Sequence, residues 1–507
     1  MTEKINRPIN FRPIMLCALA LMLGVILFRY SPTFGVWTIL LPIIIFIVVG
    51  SIFFFFGSKK NRVVTLFTTA ICLMSAVVGI GAHAISVDLT SASVPQNGNY
   101  TVVGEVTEIS YKEGKYNVGL KDCVYDGDSG CSLFMYGLEQ EVALYDVLSL
   151  NCYVIGVDVE QGGSLAYLIE NGYGAMTNSV KSVEIIGRAN SVAAHFKTKT
   201  DESFKKVLGE DYGILAALLR GDVSGMKETV TVFRAVGIAH VFAVSGMHIG
   251  LIFTALSFIL GKIPIAKGVK TLITCGALVF YSYLCGFTPS SLRAVIMCSC
   301  MAVAKLYGEK YDGINALSES AIVVLLLRPT DLFSAGFILS YTICFSIIIL
   351  APPIKNLFKF LPEQFSSSIS VLCASQMAAL PISVIFFNSF SIISFIANFI
   401  LLPVVSIVFY AVVIGVAITL ILPINELIAL FIPQMLIIGI KGITEFFAQI
   451  PLIIKVFPPI LALVYYALIL VASDFVNAPK KVKFSCVVIA VVVVLYTALR
   501  SFGIIVI

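Results

Sequence analysis

Charged residues are scarce in this 507-residue sequence. They make up 12% of the chain, whereas hydrophobic residues make up 59% and the mean hydropathy is +0.99. In soluble domains roughly a quarter of the residues are charged. Apolar stretches of about 18 residues, long enough to cross the hydrocarbon core of a bilayer, recur along most of the chain, and we count about thirteen of them. The sequence therefore predicts a polytopic α-helical membrane protein and excludes an ordinary soluble domain.

The sequence also lacks the motifs of two kinds of catalytic machinery. No G-x-x-x-x-G-K-[ST] phosphate loop is present, so we expect that the chain does not hydrolyse ATP itself. Histidine occurs only four times, at His83, His195, His240 and His248, with neither H-x-H nor H-E-x-x-H spacing. Hydrolytic metal sites need such clustered ligands. We therefore predict no metal site and no cofactor.

Clusters of basic residues predict the orientation of the N-terminal membrane region, residues 1–86, because Lys and Arg concentrate in cytoplasmic loops. The predicted spans of this region are 13–28, 34–57 and 63–86. The basic clusters before the first span and between the second and third are Lys4, Arg7, Arg12, Lys59, Lys60 and Arg62. The first span has no small-x-small cleavage site, so we interpret it as a retained span. We expect the N-terminus in the cytoplasm and the chain after Ile85 outside.

Residues 87–190 form a polar island between two apolar blocks. Segments such as "NYTVVGEVTEIS" and "DVLSLNCYVIGVDV" alternate apolar and polar residues and are separated by Gly, Asp and Asn, which is typical of short antiparallel strands. Five short strands in a domain of this size favour an all-β, OB-like barrel on the extracellular side. The island has fourteen acidic and five basic residues. This balance argues against a surface that binds phosphates.

Three cysteines lie in this island, on the side of the membrane where disulfides persist. Cys123 and Cys131 flank "VYDGDSG", a hairpin turn that would bring them opposite one another, so we predict that they can form a disulfide. Cys152 would be left over. The other pairings remain open, because sequence alone does not fix connectivity.

Residues 191–237 contain apolar residues at helical spacing, among them Phe196, Phe204 and Val207, with lysines such as Lys197 and Lys205 between them. This pattern predicts amphipathic helices that lie on the membrane interface, with the lysines on their surface.

Residues 238–507 form a second membrane block, which opens with "HVFAVSGMHIG" at His240–Gly250. Ionisable and polar residues inside membrane segments are energetically costly and are therefore functional candidates. Those just before the block or near its start are Asp222, Arg234, His240, Ser245, His248 and Arg293. Those further along are Glu319, Ser340, Gln376, Asn398, Lys441 and Glu445.

The residues of the opening stretch permit three interpretations. Ser245 and His248 are three apart and can meet on a helix, as an intramembrane hydrolase would require. However, the stretch contains no Asp or Glu to orient the histidine, and it lacks the second glycine of a G-x-S-x-G elbow. Alternatively, the small residues allow close helix packing and the histidines form hydrogen bonds between helices. The third interpretation is the polar lining of a conduit.

Several motifs, in the same order along the chain, resemble those of the ComEC competence-protein family. "AALLRGDVSGM" is similar to the family's LL-x-GD segment, and "FRAVGIAHVFAVSGMHIGL" to its F-x-x-x-G-x-x-H-x-x-A-x-SG-x-H signature. "GFTPSSLRAVIM", "ASQMAALPIS" and "FIANFILLPVV" resemble its S-x-x-RA-x-x-M, AQ-x-x-x-x-P and N-x-x-x-x-P segments. The sequence departs from the family at Ile338, where glutamine is frequent. It resembles a short form that lacks the C-terminal metallo-β-lactamase-like domain of longer relatives.

The resemblance implies a channel that moves single-stranded transforming DNA across the bacterial cytoplasmic membrane without cleaving it. It implies a path shaped by Asp222, Arg234, His240, Ser245, His248, Arg293, Gln376 and Asn398. The expected partners are membrane lipid, a surface DNA receptor, a separate nuclease and a cytoplasmic DNA-dependent ATPase, and a homo-oligomer is an open alternative. A hydrolase that uses Ser245 and His248, or a transporter of another anionic polymer, remains the alternative function.

Overall fold

The computed structural model describes residues 12–29, 62–91, 94–112, 114–157, 168, 172–224, 226, 229–421, 425–450 and 452–501. The predicted second span at 34–57 and the basic residues Lys4, Arg7, Lys59 and Lys60 lie outside the described residues.

Among the described residues, two helices precede the polar island: α1 (Pro13–Arg29) and α2 (Arg62–Ser91). Cys17 lies near Cys72, and the ring of Phe28 lies 5.3 Å from that of His83, so the two helices run parallel. Their backbones approach closely because glycines face the contact. A Cβ on Gly24 would lie 2.1 Å from a backbone oxygen of α2. Small residues permit this kind of packing between membrane helices.

The polar island folds as a small β-barrel. Its strands are β1 (Gly98–Lys112), β2 (Lys115–Tyr125), β3 (Asp128–Ser129), β4 (Leu133–Leu138), β5 (Asp146–Gly156), β6 (Ala175–Thr177) and β7 (Val180–Arg188). Five of them form a closed ring in the order β1-β2-β4-β6-β5, and β5 pairs back to β1. The β4–β6 pair is parallel. Alternating side chains such as Val118, Leu120 and Leu148 fill the interior and are fully buried.

The barrel contains no Cys123–Cys131 disulfide, which differs from the sequence prediction. All three cysteines of the barrel are free thiols. In the hairpin, Gly130 rather than Cys131 stands opposite Cys123, and its N–H donates to the Cys123 carbonyl over 2.9 Å. This register keeps the two cysteines from standing directly opposite one another, although both lie in the core of the barrel. Burial raises the pKa of Cys123 to about 12, which keeps the thiol protonated at neutral pH.

Three helices connect the barrel to the second block: α3 (Val192–Leu208), α4 (Tyr212–Arg220) and α5 (Thr229–Val236). Arg188 at the end of β7 joins the barrel to α3, because it donates to Asp146 over 3.1 Å and to Thr198 over 2.9 Å. The prediction that Lys197 lies on the surface is wrong. Its residue is only 5% exposed, because this face of α3 packs against protein.

The rest of the described chain contains eleven α-helices and two short strands. The helices are α6 (Gly246–Lys262), α7 (Lys267–Leu284), α8 (Pro289–Tyr307), α9 (Gly313–Leu327), α10 (Ala335–Leu357), α11 (Glu363–Phe387), α12 (Ser394–Ile421), α13 (Glu426–Ala429), α14 (Phe431–Ala448), α15 (Pro459–Ala472) and α16 (Lys480–Ser501). Two short strands, β8 (Phe390–Ser391) and β9 (Ile453–Ile454), pair with each other between them.

Among the described residues, seven helices are long and apolar enough to cross a membrane. These are Thr68–Asp88, Pro289–Tyr307, Ala335–Leu357, Glu363–Phe387, Ser394–Leu420, Phe431–Ala448 and Lys480–Ser501. Four shorter apolar helices, namely α1, α6, α9 and α15, accompany them. The architecture is that of a helical membrane protein with a small β-barrel inserted. The number of about thirteen spans and the boundaries of the four predicted regions stay predictions.

Candidate functional site

The candidate site is the break between α5 and α6, where the chain leaves helical geometry inside an otherwise helical block. Gly237 follows α5 in the left-handed region at φ +83°, and a short 3-10 turn follows at Ala239–Val241. Helix α6 then starts at Gly246. Non-helical backbone at membrane depth occurs where protein buries it or where it lines a cavity. The break, between two helices of the block, is a candidate for such a segment.

Ser245 and His248 form a capping box at the start of α6. The Oγ of Ser245 accepts a hydrogen bond from the N–H of Met247 over 3.3 Å. The Nδ1 of His248 accepts a hydrogen bond from the backbone N–H of Ser245 over 3.2 Å, and it lies 3.3 Å from the Ser245 Oγ. Both side chains thus satisfy backbone groups that a helix start leaves free.

This arrangement determines which nitrogen of His248 carries its proton. Since Nδ1 accepts from a backbone N–H, the neutral ring holds its hydrogen on Nε2. That nitrogen is buried and has no hydrogen-bond partner, and the residue is 0% exposed. The ring instead packs edge-on against Phe409, at 4.8 Å between centroids. A serine hydrolase orients its histidine through a third group, and His248 Nε2 contacts no such group here.

Arg293, on the first turns of α8, brings a positive charge to the start of α6. A Cβ on Gly246 would lie 2.8 Å from Nη2 of Arg293, so the glycine makes room for the guanidinium. The Nε of Arg293 donates to the Oγ of Ser340 over 2.7 Å, and Nη1 lies 3.5 Å from the sulfur of Met297. These contacts hold the guanidinium beside the break while its side chain stays partly exposed.

Two further candidate residues, one just before the break and one within it, have exposed side chains. Arg234 lies on α5, and His240 lies in the 3-10 turn. His240 is close enough to His248 for their charges to interact. The structure thus brings His240, Ser245, His248 and Arg293 together.

Asp222 has a different environment, because it lies in a buried network of ion pairs. Lys197 contacts Asp222 and Asp201 at 2.7 Å each, and Arg220 contacts Asp222 at 3.6 Å and Asp201 at 2.5 Å. Burial by itself raises the pKa of Asp222. The nearby positive charges and the hydrogen bonds from Lys197 and Ser224 outweigh burial, so the pKa is lowered. The network links α3 to the loop after α4 and keeps Asp222 ionised.

Gln376 and Asn398 lie on α11 and α12, at a second contact with the break. The Oε1 of Gln376 accepts a hydrogen bond from Ser394 over 3.3 Å. Asn398 is 1% exposed, and neither atom of its amide has a hydrogen-bond partner. The structure therefore places all eight predicted path residues around α4–α6 and the helices that pack on them.

Sequence reasoning missed three residues of this region. Lys197 and Arg220 were not predicted as partners of Asp222, although Arg220 lies in the same "LLRGD" segment and gave a local signal. Ser394 was missed because a serine in an apolar helix carries no signal of its own.

Phe233 and Phe242 lie close to the break and pack against each other, with 4.7 Å between their ring centroids, and both are buried. This favours a role in packing over a role in stacking against nucleic-acid bases. Across the described residues, no group of three or more His, Cys, Asp or Glu side chains is placed to hold a metal ion.

The fold and the site together define a class: polytopic helical membrane proteins with a polar break inside the membrane block. The family model described as "Competence protein" matches residues 218–477, which contain the break, α6 and all later elements up to α15. This is more than half of the chain, and the chain belongs to the ComEC competence-protein family. No solved structure matches the chain.

Three curated relatives show the range of similarity. The chain is similar to ComE operon protein 3 of Bacillus subtilis, with 31% identity over 38% of this chain and 24% of the relative. It is also similar to Recombination protein 2 of Haemophilus influenzae, with 24% identity over 38% and 27%, and to Competence protein ComA of Neisseria gonorrhoeae, with 22% identity over 36% and 28%. The chain thus matches only about a quarter of the length of these relatives.

Proposed function

We propose that this protein moves single-stranded DNA across the bacterial cytoplasmic membrane during natural competence. One observation carries the proposal. Inside the region that matches the competence family, the exposed His240 lies in the break, and the partly exposed Arg293 guanidinium lies against Gly246. The cationic side chain of Arg293 can offset the charge of phosphates in a passing strand. The alternative of another anionic polymer uses the same chemistry, and the experiment below separates the two.

The proposal includes an orientation. The N-terminus lies in the cytoplasm and the barrel lies outside as an OB-like domain. The closed ring of five strands supports the OB-like assignment. Arg12 pairs with Asp312 over 2.9 Å, which places the starts of α1 and α9 at one face, as the positions of the basic clusters require. We further propose lipid, a surface DNA receptor, a separate nuclease and a cytoplasmic DNA-dependent ATPase as partners. The protein would act alone or as a homo-oligomer.

The hydrolase alternative rests on the contact of 3.3 Å between Ser245 Oγ and His248 Nδ1. A general base must be free to take the serine proton. Here the same nitrogen accepts the backbone N–H of Ser245, and the hydroxyl oxygen accepts from Met247. The contacts support a helix cap better than they support a nucleophile.

The test measures DNA that becomes protected from external nuclease in the native host under competence conditions. Deletion of the gene should abolish protected DNA while surface binding persists. Arg293→Gln should lower protected DNA about tenfold or more at normal membrane abundance, because it removes the charge beside the break. Arg500→Gln, at the end of α16, is the matched control and should have no effect. If the deletion leaves uptake of DNA intact, the function is wrong and another polymer must be tested.

A further inference from the structure

Two non-helical segments meet inside the membrane block. One contains Gly237, at the end of α5, and the other contains Ser391, just before α12. A Cβ on Gly237 would lie 2.6 Å from the Cβ of Ser394 and 3.5 Å from that of Ser391. The two segments are therefore in backbone-to-side-chain contact, and only a glycine permits an approach this close.

A row of polar side chains follows this contact along α12. Ser394 and Asn398 are four residues apart, so they lie one above the other on a single helix face. Ser394, which touches Gly237, donates to Gln376. Asn398 is 1% exposed and both atoms of its amide lack partners, and Ser391 is 5% exposed with an unpartnered hydroxyl. Asn398 and Ser391 are thus buried polar side chains without hydrogen-bond partners among the described residues.

Buried polar groups without partners are rare in folded proteins, and each one needs an explanation. An amide loses the hydrogen bonds that it makes in water when it is buried without partners, so the closed arrangement is destabilised. A second arrangement that admits water to Asn398 and Ser391 would recover those bonds. Both flanking segments are non-helical and meet at a glycine, so they can separate without breaking a helix.

We propose that the contact of Gly237 with Ser391 and Ser394 is the closed gate of the strand's path. When the gate opens, the amide of Asn398 and the hydroxyl of Ser391 become wetted and form hydrogen bonds with water and with the passing strand. This inference rests on the proposed function, since it assigns the gate to the path for DNA. It gives Asn398 a role that its burial alone would not suggest, because its amide favours the open state.

The first test replaces Asn398 by leucine, which has a similar size and no polar atoms. The closed state then loses its unpartnered amide, so the variant should unfold at a temperature about 5 °C higher in detergent. Uptake of nuclease-protected DNA should fall about tenfold, because the gate now favours closure. Thr444→Val is the matched control: Thr444 is equally buried, but its hydroxyl is bonded to Ile440, and uptake should not change.

The second test uses a substitution that should favour the open state of the gate. Gly237→Ala places a methyl group against Ser394, so the segments should be held apart and purified protein in liposomes should leak potassium chloride. Gly308→Ala is the control, because its backbone is also left-handed at φ +73° but a Cβ there meets nothing within 4 Å. That variant should carry the same backbone strain without a leak.

The outcomes separate the gate from the function. If the wild type takes up DNA but Asn398→Leu keeps normal uptake, or if it loses both uptake and stability, the gate is overturned and the proposed function stands. If Gly237→Ala leaks no more than Gly308→Ala, the gate is likewise overturned. If the wild type itself does not support uptake of DNA, the proposed function fails first.

Discussion

Two buried polar clusters lie close together in this protein, and they are built in opposite ways. In the network of Asp222, Lys197, Arg220 and Asp201, every charged group contacts an oppositely charged partner. Around the break, His248 Nε2 and both atoms of the Asn398 amide contact no partner. Both clusters are almost fully buried. The difference therefore lies in the pairing and not in the exposure.

This difference separates polar groups that fix a structure from polar groups that serve a movement. A paired network stabilises the fold only while every member stays in place. It therefore holds α3 against the loop after α4. Unpartnered groups gain hydrogen bonds when their surroundings open. In a membrane block, where burial of polar groups is costly, pairing is thus a better guide to function than polarity alone.

The largest effect should come from breaking the paired network. Asp222→Ala leaves Lys197 and Arg220 with one carboxylate between them, and such uncompensated buried charges cost about 3–5 kcal/mol. The exposed pair of Lys355 and Glu363 offers a control, because Lys355→Ala should cost less than about 1 kcal/mol. Thermal unfolding in detergent measures both. Equal losses of stability in the two variants would mean that the buried Asp222 network adds nothing to stability beyond what an exposed ion pair adds.

A smaller effect should come from Asp331, which lies in the 3-10 turn Pro329–Phe333 and has one buried carboxylate oxygen without a partner. Burial raises its pKa to about 6, and Arg328 and Lys121 only partly offset this. A raised carboxyl pKa means that stability is present at low pH and is lost as pH rises through about 6.

Asp331→Asn should therefore stabilise the protein at pH 7.5 by about 1–2 kcal/mol and have little effect below the ordinary carboxyl pKa of 3.8. Asp222→Asn is the counterpart, because its lowered pKa makes the charged form the stable one. That variant should be destabilised at pH 7.5. Unfolding temperatures measured across this pH range would contradict the interpretation if both variants shifted in the same direction.

The smallest effect should come from the helix cap. Ser245→Ala removes the acceptor for the Met247 N–H and should cost about 1 kcal/mol of stability. Ser334→Ala removes the corresponding cap of α10, where Ser334 accepts from Phe337 over 3.1 Å, and should cost a similar amount. DNA uptake should survive both changes. Complete loss of function in Ser245→Ala alone would revive the hydrolase alternative.

The sequence predicted the membrane block and the small β-barrel because both depend on local patterns, namely apolar length and alternation. It also predicted the polar candidates, since a histidine or arginine in an apolar run stands out in composition. It did not predict partners. Lys197 carries the charge of a surface lysine, and only the fold brings it to Asp222, 25 residues away. The capping role of Ser245 and His248 likewise depends on where α6 begins, which propensity alone does not fix.

The barrel's closing contacts have a consequence for the order of synthesis. Tyr100 of β1 pairs with Cys152 of β5, so this pair cannot form until Cys152 has been made. Likewise, β4 pairs with β6 only after Ala175 has been made. Such distant pairings form slowly compared with helices. The barrel lies between α2 and α3, so α1 and α2 are made before any of these pairs can form. The barrel therefore closes only after the first membrane helices have been synthesised.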